Sequence, residues 1–397
     1  MKFFLYNFSG DYMKKFIGIS ILFLGLTFII NNSYKEEVDV EQRGIFISYI
    51  ELNKYVKDKS VVEGKENIDQ MITNIKNLGF NLVILQIRSF SDAIYESSIF
   101  PWSSTVSVRE DVYPGYDVLD YFIDKCRKNN ILIYGWINPY RVRTSNDTSG
   151  ISENNPAYKY LNSRHIIIDN GIYYNPSSSE VVNLIVSGVE EVVSKYKVDG
   201  ILFDDYFYPN TDCDYVEYQE YLTKNDYISF DDYHLMIINN MIERVHEVCN
   251  NYNVKFGVSP DANIENNYTK LFADIKTWLS SDKYVDFIMP QVYYGFFNET
   301  KPFKKVIDEW ESMITNDDIS LMVALAFYKN GVEDKWAKSG SLEWVNNSNI
   351  IMREIILSRN LNYYEGFSLF RYDYIFNSSL HSKNTFLEIE NMKKVLK

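Results

Sequence analysis

The sequence predicts an α/β protein with a single (β/α)8 barrel of the TIM type, preceded by an N-terminal hydrophobic segment. First, eight short apolar runs after residue 40 alternate with segments of helical periodicity. Second, polar and aromatic residues recur at the C-terminal end of nearly every run, where the loops of a closed barrel meet. A doubly wound open sheet, the alternative, would concentrate such residues at one switch point.

The apolar runs carry hydrophobic residues on both faces, as strands of a covered parallel sheet do. We predict strands at Arg43–Ile50, Asn81–Arg88, Ile131–Tyr140, Gly200–Tyr206, Lys255–Asp261, Val285–Tyr294, Ser320–Tyr328 and Glu365–Tyr372. The stretch Thr144–Asn175 is predicted to be a long irregular loop, which in barrels often forms a lid or wall of the site. No repeat or linker divides the rest, so residues 41–397 are predicted to form one domain.

Composition excludes several classes of function. The net charge is −14 and no basic run occurs, which argues against a nucleic-acid partner. The 33 Tyr and 6 Trp fit either a large core or a carbohydrate site. Three cysteines without a CxxC pair and four histidines without ligand spacing predict neither a disulfide framework nor a histidine-built metal site. No cofactor is predicted, and an all-carboxylate Mg or Ca site at the acidic pair described below is a minority alternative.

The first 40 residues predict export from the cytoplasm. Lys14 and Lys15 precede the apolar run Phe16–Ile30, the arrangement of an export signal or signal-anchor. We favour a retained anchor with a short cytoplasmic stub and linker over a cleaved signal. This places the predicted barrel outside the cytoplasm, attached to the cell membrane through residues 16–30, or secreted if the signal is cleaved.

The predicted strand ends bring candidate site residues to one rim of the barrel. Asp204 and Asp205 follow the fourth strand directly. Two close carboxylates raise the pKa of one member, and glycosidic cleavage needs such a pair, one group protonated and the other ionised. A lone Asp pair is more often a helix cap or loop acceptor. The other predicted site residues are Arg88, Asp92, Trp102, Trp136, Asn138, Tyr140, Arg141, Tyr206, Asp261, Gln291, Tyr293 and Arg371.

Several segments resemble the bacterial glycosyl-hydrolase-like family ten. They are RGIFISYI, GFNLVILQIRSFSDAIYESSIFPWS, YGWINPYRVR, YYNPSSSEVVNLIVSGVEEVVSKYKVDGILFDDYFYP and VDFIMPQVYY, in order between Arg43 and Arg371. The resemblance implies a barrel enzyme that acts outside the cytoplasm on bacterial glycans, with peptidoglycan strands as the expected substrate. Two positions depart from the family pattern: Ser89 follows Arg88 where relatives have proline, and Asp261 follows Pro260, which adds a carboxylate that could serve a subsite or act as a second acid.

DGILFDD and FIMPQVYY are also distantly similar to family 18 chitinases, which use the substrate's N-acetyl group as nucleophile. This similarity implies a substrate-assisted mechanism, with Asp205 as acid and Asp204 orienting the acetamido group; the sequence favours the reverse order almost equally. Tyr293 and Gln291 would then bind the acetamido side. Stacking surfaces would come from Trp102, Trp136 and Tyr206, while Arg88, Asn138 and Arg141 would hold hydroxyls or a lactyl carboxylate.

Two other functions remain open at this point. A non-catalytic glycan-binding barrel would share the aromatic and arginine residues without needing an acidic pair of unequal pKa. A structural component of an envelope complex would expose a large apolar patch. The oligomeric state does not follow from the sequence.

Overall fold

The computed structural model describes residues 40–396. The predicted anchor at Phe16–Ile30 and its flanking lysines lie outside this range. Within residues 40–396, no helix is long and apolar enough to cross a membrane.

Twelve strands lie within the described residues, and nine of them form the barrel. They are β1 (Gln42–Ile47), β2 (Leu82–Arg88), β3 (Leu132–Ile137), β4 (Arg141–Arg143), β5 (Ile166–Ile168), β6 (Ile172–Tyr174), β7 (Gly200–Phe203), β8 (Lys255–Val258), β9 (Phe287–Ile288), β10 (Gln291–Val292), β11 (Ser320–Leu325) and β12 (Tyr364–Leu369). The barrel order is β10-β11-β12-β1-β2-β3-β7-β8-β9, and β9 also pairs with β11, which closes the sheet. Since β9 and β10 are two halves of one position, the result is a closed eight-position parallel barrel. The predicted fold class is confirmed.

Helices follow the strands around the outside of the barrel. The α-helices span Tyr49–Tyr55, Val61–Asn77, Val118–Lys128, Ser179–Lys195, Tyr215–Leu222, Phe230–Asn251, Ile264–Asn266, Ile275–Trp278, Phe303–Met313, Glu343–Asn346, Ile350–Ser358, Tyr372–Phe376 and Lys383–Met392. Several begin at a side chain that accepts from their first turn, among them Ser48, Ser60, Asp117, Ser178 and Ser229. These caps explain why the helices start where they do.

Most predicted strands extend too far at their C-terminal ends. The first strand ends at Ile47 because Ser48 already caps the next helix in a capping box with Glu51. The fourth barrel strand, β7, ends at Phe203, and the chain bends at Asp205. The prediction was wrong at these ends because apolar and aromatic residues continue past the last ladder hydrogen bond into the loops that surround the site.

The sequence predicts that the stretch Thr144–Asn175 is an irregular loop, but part of it forms regular structure. Strands β5 and β6 within it pair with each other, and β6 pairs with β4, which makes a small antiparallel sheet. The short strands escaped prediction because three residues are too few for an alternating pattern. The sheet stiffens the chain that follows β3 at the C-terminal side of the barrel.

Two apolar layers hold the fold together. The larger lies between the strands and the surrounding helices and includes helix residues at helical spacing, such as Ile68, Ile72 and Ile75. The smaller fills the inside of the barrel with ten residues from its strands, Phe46, Leu82, Ile84, Tyr134, Trp136, Leu202, Phe287, Met289, Met322 and Ala324. Because the interior is filled, the open space lies at the end of the barrel, where the loops meet.

One buried carboxyl group predicts how the stability of the fold depends on pH. Glu354 has 0% exposure, and neither of its carboxyl oxygens has a hydrogen-bond partner in the described structure. Burial raises the pKa of Glu354 well above its ordinary value, and the nearby Glu388 raises it further. The folded protein therefore holds a proton that the unfolded chain releases at the ordinary carboxyl pKa of about 4.3. Stability is fully present below that pH and is lost as the pH rises towards the folded-state pKa.

We expect Glu354→Gln to flatten the fall in melting temperature between about pH 5 and pH 9, because an amide keeps the shape without ionising. Thermal unfolding followed by circular dichroism across that range measures the slope. Glu390→Gln, an exposed position on the helix that also carries Glu388, is the matched control and should keep the original slope. Equal slopes in all three proteins would contradict the prediction.

Candidate active site

A cavity of about 450 Å³ opens at the C-terminal ends of the barrel strands. Asp204 and Asp205 both line it, so the two carboxylates share one confined space. The other residues in its wall come from all eight strand positions and the loops after them: Phe46, Ser48, Tyr49, Ile50, Gln86, Trp136, Arg141, Leu202, Tyr206, Ser259, Gln291, Tyr293, Tyr328, Phe370, Arg371 and Tyr374.

The end of β7 explains how adjacent residues face the same space. Consecutive residues in a strand point to opposite faces. Asp204 is the first residue after the strand, and the chain bends at Asp205, so the alternation no longer applies to this pair. Both side chains can therefore line the cavity although they are neighbours in sequence.

Asp204 is buried among neutral donors. It is 4% exposed, and its Oδ2 accepts hydrogen bonds from Trp136 Nε1 at 3.1 Å and from Asn138 Nδ2. Arg141 lies close enough to stabilise its negative charge. These partners favour the ionised form of Asp204.

The Asn138 amide is itself held in one orientation. Its Oδ1 accepts from Gln86 Nε2 at 2.5 Å and from Arg141 at 3.0 Å, so its Nδ2 must face Asp204. Gln86 is fixed in turn because its Oε1 accepts the Tyr49 backbone N–H at 2.9 Å. Asn138 was predicted to bind sugar hydroxyls, but at 1% exposure its amide is fully used inside the wall. It positions Asp204 instead.

Asp205 has a different environment. It is only partly buried, and its side chain accepts one hydrogen bond, from Gln291 Nε2 at 3.2 Å. The same Gln291 nitrogen donates to the Ser259 carbonyl at 2.9 Å, which fixes the amide at the edge of the cavity. Asp205 therefore has fewer partners for a negative charge than Asp204 has.

These environments separate the two carboxyl groups. Burial raises the pKa of Asp204, but Arg141, Trp136 and Asn138 oppose the rise. Burial also raises the pKa of Asp205, and the negative charges of Asp204 and Asp261 raise it further. Asp205 is therefore the member of the pair that holds a proton to higher pH.

Arg371 lies in the wall as the partner of a buried glutamate. Its guanidinium donates to Glu51, which has 0% exposure and also accepts from the Ser48 backbone N–H at 3.0 Å and the Ser48 hydroxyl at 2.6 Å. The positive charge of Arg371 is thus neutralised inside the protein. Arg141 differs, because the described structure gives it no carboxylate partner within 4.0 Å and its guanidinium lies over the rings of Phe90 and Tyr206 at 5.1 and 5.7 Å.

Aromatic rings form much of the remaining wall. Trp136 packs edge-on against Phe46 with centroids 5.5 Å apart, which fixes the indole beside Asp204. Tyr293 is perpendicular to Tyr328 at 5.8 Å. Tyr206 is 54% exposed at the mouth of the cavity. Flat rings and polar groups in one concave wall are the surfaces that bind sugar rings.

The structure thus brings together eight of the fourteen predicted residues in the lining of this cavity. They are Asp204, Asp205, Trp136, Arg141, Tyr206, Gln291, Tyr293 and Arg371. Asn138 lies directly behind them. Asp261 lines an adjoining cavity, where its carboxylate accepts from the Asn263 N–H and the Asn266 side chain, both at 2.8 Å. Because both its oxygens hold the loop, Asp261 is not placed as a second acid.

Arg88 lies outside the cavity, contrary to the expectation that it binds substrate. The register between β2 and β3 shifts between Gln86 and Arg88. Gln86 therefore lines the cavity, whereas Arg88, two residues later, does not. The Arg88 guanidinium lies 4.3 Å from the centre of the Phe100 ring and is 2% exposed. A side chain at Gly188 would collide with it, so it packs against the helix Ser179–Lys195.

Three other predicted residues also lie away from the cavity lining. Asp92 is 3% exposed, and burial together with the charge of Glu110 raises its pKa to about 7. Trp102 packs against Tyr113 with centroids 5.3 Å apart. Tyr140 is 1% exposed within the core. A role in binding was expected for all three, but Asp92 and Tyr140 are turned into the protein body, and Trp102 is half-buried outside the cavity lining.

The sequence missed some residues of the wall. Tyr328 and Phe370 are among them, and they follow β11 and β12 at the strand ends where such residues are expected. It also missed Glu51, which lies behind the wall and holds Arg371, although the spacing of Ser48 and Glu51 after an apolar run is a recognisable capping box. Within the described chain, no group of three or more His, Cys, Asp or Glu residues is arranged to hold a metal ion.

The sequence of this chain is similar to those of a known protein family. Residues 41–339 match the family described as Glycosyl hydrolase-like 10. The chain belongs to this family. It is 30% identical over 370 residues to the glycosyl hydrolase YngK of Bacillus subtilis, covering 86% of this chain and 70% of that protein. It is 28% identical over 342 residues to the glycosyl hydrolase DigH of Escherichia coli K12, covering 79% and 76%.

Solved structures support the fold of this Glycosyl hydrolase-like 10 member. The glycoside hydrolase domain of PgaB (BpsB) from Bordetella bronchiseptica matches with a TM-score of 0.56 at 12% identity, covering 88% of this chain and 98% of that domain. A GH20 exo-β-N-acetylglucosaminidase from Vibrio harveyi, solved with N-acetylglucosamine, matches with a TM-score of 0.51 at 9% identity, covering 90% and 57%. At these identities the likeness establishes the barrel.

The role of Asn138 can be tested without an activity assay. We expect Asn138→Ala to raise the pKa of Asp204, because it removes a hydrogen bond to the charged form. Carboxyl ¹³C NMR titration measures the change. Asn360→Ala, at an exposed position, is the control and should leave the titration unchanged. An unchanged or lowered pKa of Asp204 in Asn138→Ala would contradict the assigned role.

Proposed function

We propose that this chain is a glycoside hydrolase that acts outside the cytoplasm on N-acetylhexosamine-containing bacterial cell-wall glycan, with peptidoglycan strands as its substrate. The proposal depends above all on one observation. Asp204 and Asp205 line the same cavity in unequal environments, with the charged form better stabilised in Asp204. Membership of the Glycosyl hydrolase-like 10 family supports the same reaction class.

The unequal environments assign a role to each carboxyl group. An acid must hold a proton until the glycosidic oxygen leaves, and Asp205 has the single neutral partner and the more strongly raised pKa. An orienting carboxylate must stay ionised, and Asp204 accepts from Trp136 and Asn138 beside Arg141. Asp205 is therefore the acid and Asp204 the orienting group.

The reaction follows as a substrate-assisted displacement. The Asp204 carboxylate accepts the N–H of the substrate acetamido group and directs its carbonyl oxygen towards the anomeric carbon. That oxygen forms a bond to the carbon while the glycosidic bond breaks, and Asp205 gives its proton to the leaving oxygen. Water then attacks the anomeric carbon and transfers a proton to Asp205, which opens the cyclic intermediate and restores the acid.

The cavity wall suits an N-acetylhexosamine. Tyr293 and Gln291 lie beside Asp205, where they can contact the acetamido group. Trp136 and Tyr206 offer ring faces to the sugar. The Arg141 guanidinium, without a carboxylate partner within 4.0 Å in the described structure, can pair with a lactyl carboxylate of a muramic unit.

The extracytoplasmic location is supported by the sequence alone. The apolar run Phe16–Ile30 follows Lys14 and Lys15, which are expected to remain in the cytoplasm. A membrane-attached barrel outside the cytoplasm would meet cell-wall glycan directly.

Single substitutions of the acidic pair test the reaction. Asp204→Asn and Asp205→Asn should each lower the hydrolysis of peptide-free glycan strands by about a hundredfold to ten-thousandfold, since each removes a group required in the transition state. Mass spectrometry of the released sugars gives the rate. Asp212→Asn, an exposed position, is the matched control and should retain activity. Undiminished activity in both site variants would refute the assignment, and the absence of any product from the unsubstituted protein would favour a glycan-binding barrel.

The pH profile of kcat/KM tests the division of roles. Activity should fall at high pH as Asp205 loses its proton and at low pH as Asp204 gains one. Because both pKa values are raised, the profile should be displaced upward from that of two ordinary aspartates, whose pKa is about 3.9. Gln291→Ala removes a hydrogen bond to the charged form of Asp205, so we expect the alkaline limb to move to higher pH. An alkaline limb that stays in place or moves down would exclude Asp205 as the acid.

A further inference from the structure

A second cavity of about 570 Å³ adjoins the first. The two share Asp205, Gln291 and Tyr293, so these side chains form the boundary between them. Asp204 and Arg141 line the first cavity and are absent from the lining of the second. The second cavity is therefore a separate space that the acid also reaches.

The position of the acid indicates which of the two sugars occupies each cavity. The proton goes to the glycosidic oxygen, which joins the sugar that reacts to the sugar that leaves. An acid at the boundary of two cavities places that oxygen at the boundary. The reacting sugar must contact Asp204, which lines the first cavity, and the leaving sugar then extends into the second.

An exposed tryptophan stands in the wall of this second cavity. Trp336 is 89% exposed, although an indole is among the costliest side chains to leave in water. Its backbone is held in place: Asp334 accepts from the Trp336 N–H at 3.2 Å, and Lys329 donates to Asp334 at 2.6 Å and to the Tyr293 carbonyl at 2.7 Å. The backbone that carries the ring is thus connected through Asp334 and Lys329 to Tyr293, at the end of the sixth barrel strand.

We propose that the second cavity is the subsite of the leaving sugar, with Trp336 as its stacking platform, and that this sugar is an uncharged N-acetylhexosamine. The inference rests on the proposed function, because it takes Asp205 as the acid. It adds a specificity-determining residue and the chemical class of the leaving group.

The charges in the second cavity support an uncharged occupant. Among the described residues of its lining, Lys329 is the single cation, and its ammonium group is paired with Asp334 at 2.6 Å. Asp261 adds a further carboxylate at the same wall. A sugar acid would find no free cation there, whereas Arg141 in the first cavity can pair with one. On an alternating strand, the charged muramic unit would therefore react and the neutral unit would leave.

Kinetic measurements on two substrates separate the contribution of the Trp336 platform from that of the reacting pair. We expect Trp336→Ala to lower kcat/KM for peptide-free glycan strands about tenfold or more, through loss of ring burial against the leaving sugar. Hydrolysis of an N-acetylhexosaminyl fluoride should stay near the unsubstituted rate, because fluoride occupies no sugar subsite. Trp336→Phe should restore part of the loss. Tyr227→Ala, an exposed aromatic position of 79% exposure, is the control and should leave both rates unchanged.

Binding separates this inference from the proposed reaction. Calorimetry with the same strands on Asp205→Asn should show binding that weakens about tenfold when Trp336→Ala is added. Unchanged binding would overturn the platform whether or not the protein hydrolyses glycan. Loss of turnover in the unsubstituted protein, with the binding difference intact, would instead overturn the proposed function.

The products test the identity of the leaving sugar. Cleavage creates a new reducing end on the sugar held in the first cavity. Borohydride reduction followed by mass spectrometry should therefore find reduced muramic units at the new ends. Reduced ends made of the uncharged sugar would overturn the assignment of a neutral leaving group.

Discussion

The hydrogen bond from the Asn138 amide to Asp204 is the contact on which the site depends. Two carboxyl groups on consecutive residues repel each other when both ionise, and burial adds to the cost. The protein meets this constraint with an unequal number of donors: Trp136 and Asn138 donate to Asp204, while Asp205 accepts from Gln291 alone. Asn138 cannot turn away, because its carbonyl oxygen accepts from Gln86 and Arg141. The division into a charged and a protonated member therefore comes from the Arg141 charge and the fixed donors beside Asp204, together with the negative charges that face Asp205.

The barrel interior gives this network its rigidity. Ten side chains fill the space below the cavity, and Trp136 belongs both to that layer and to the Asp204 environment. Any shift of Asp204 would thus disturb packed rings. Glu51 has a similar role behind the wall, where it holds Arg371 through a buried ion pair and also completes the capping box of the first helix. Wall residues that look available for substrate in the sequence are partly used to hold one another.

The two adjoining cavities make the two sides of the site chemically different. Asp204 and Arg141 belong to one side, Trp336 and Asp261 to the other, and Asp205 lies between them. An acid in such a place can serve a bond whose two sugars occupy different spaces. The choice of which sugar reacts and which sugar leaves would then depend on which cavity offers a free cation. That choice is a property of the cavity walls and not of the two carboxyl groups.

The sequence by itself determined the barrel, because eight apolar runs and the helical stripes between them follow directly from the periods of strand and helix. It also located the acidic pair and six other residues of the cavity lining, since the C-terminal strand ends of a closed barrel converge whatever the loops do. Tertiary structure decided which strand-end residues face the cavity. A register shift in β2 takes Arg88 away from it, and a bend after β7 brings both Asp204 and Asp205 into it. It also decided that the Asn138 amide faces Asp204 and that Trp336 and Asp205 line the same cavity. Bulges, bends and contacts between residues far apart in sequence depend on how whole strands pack, and no local period encodes them.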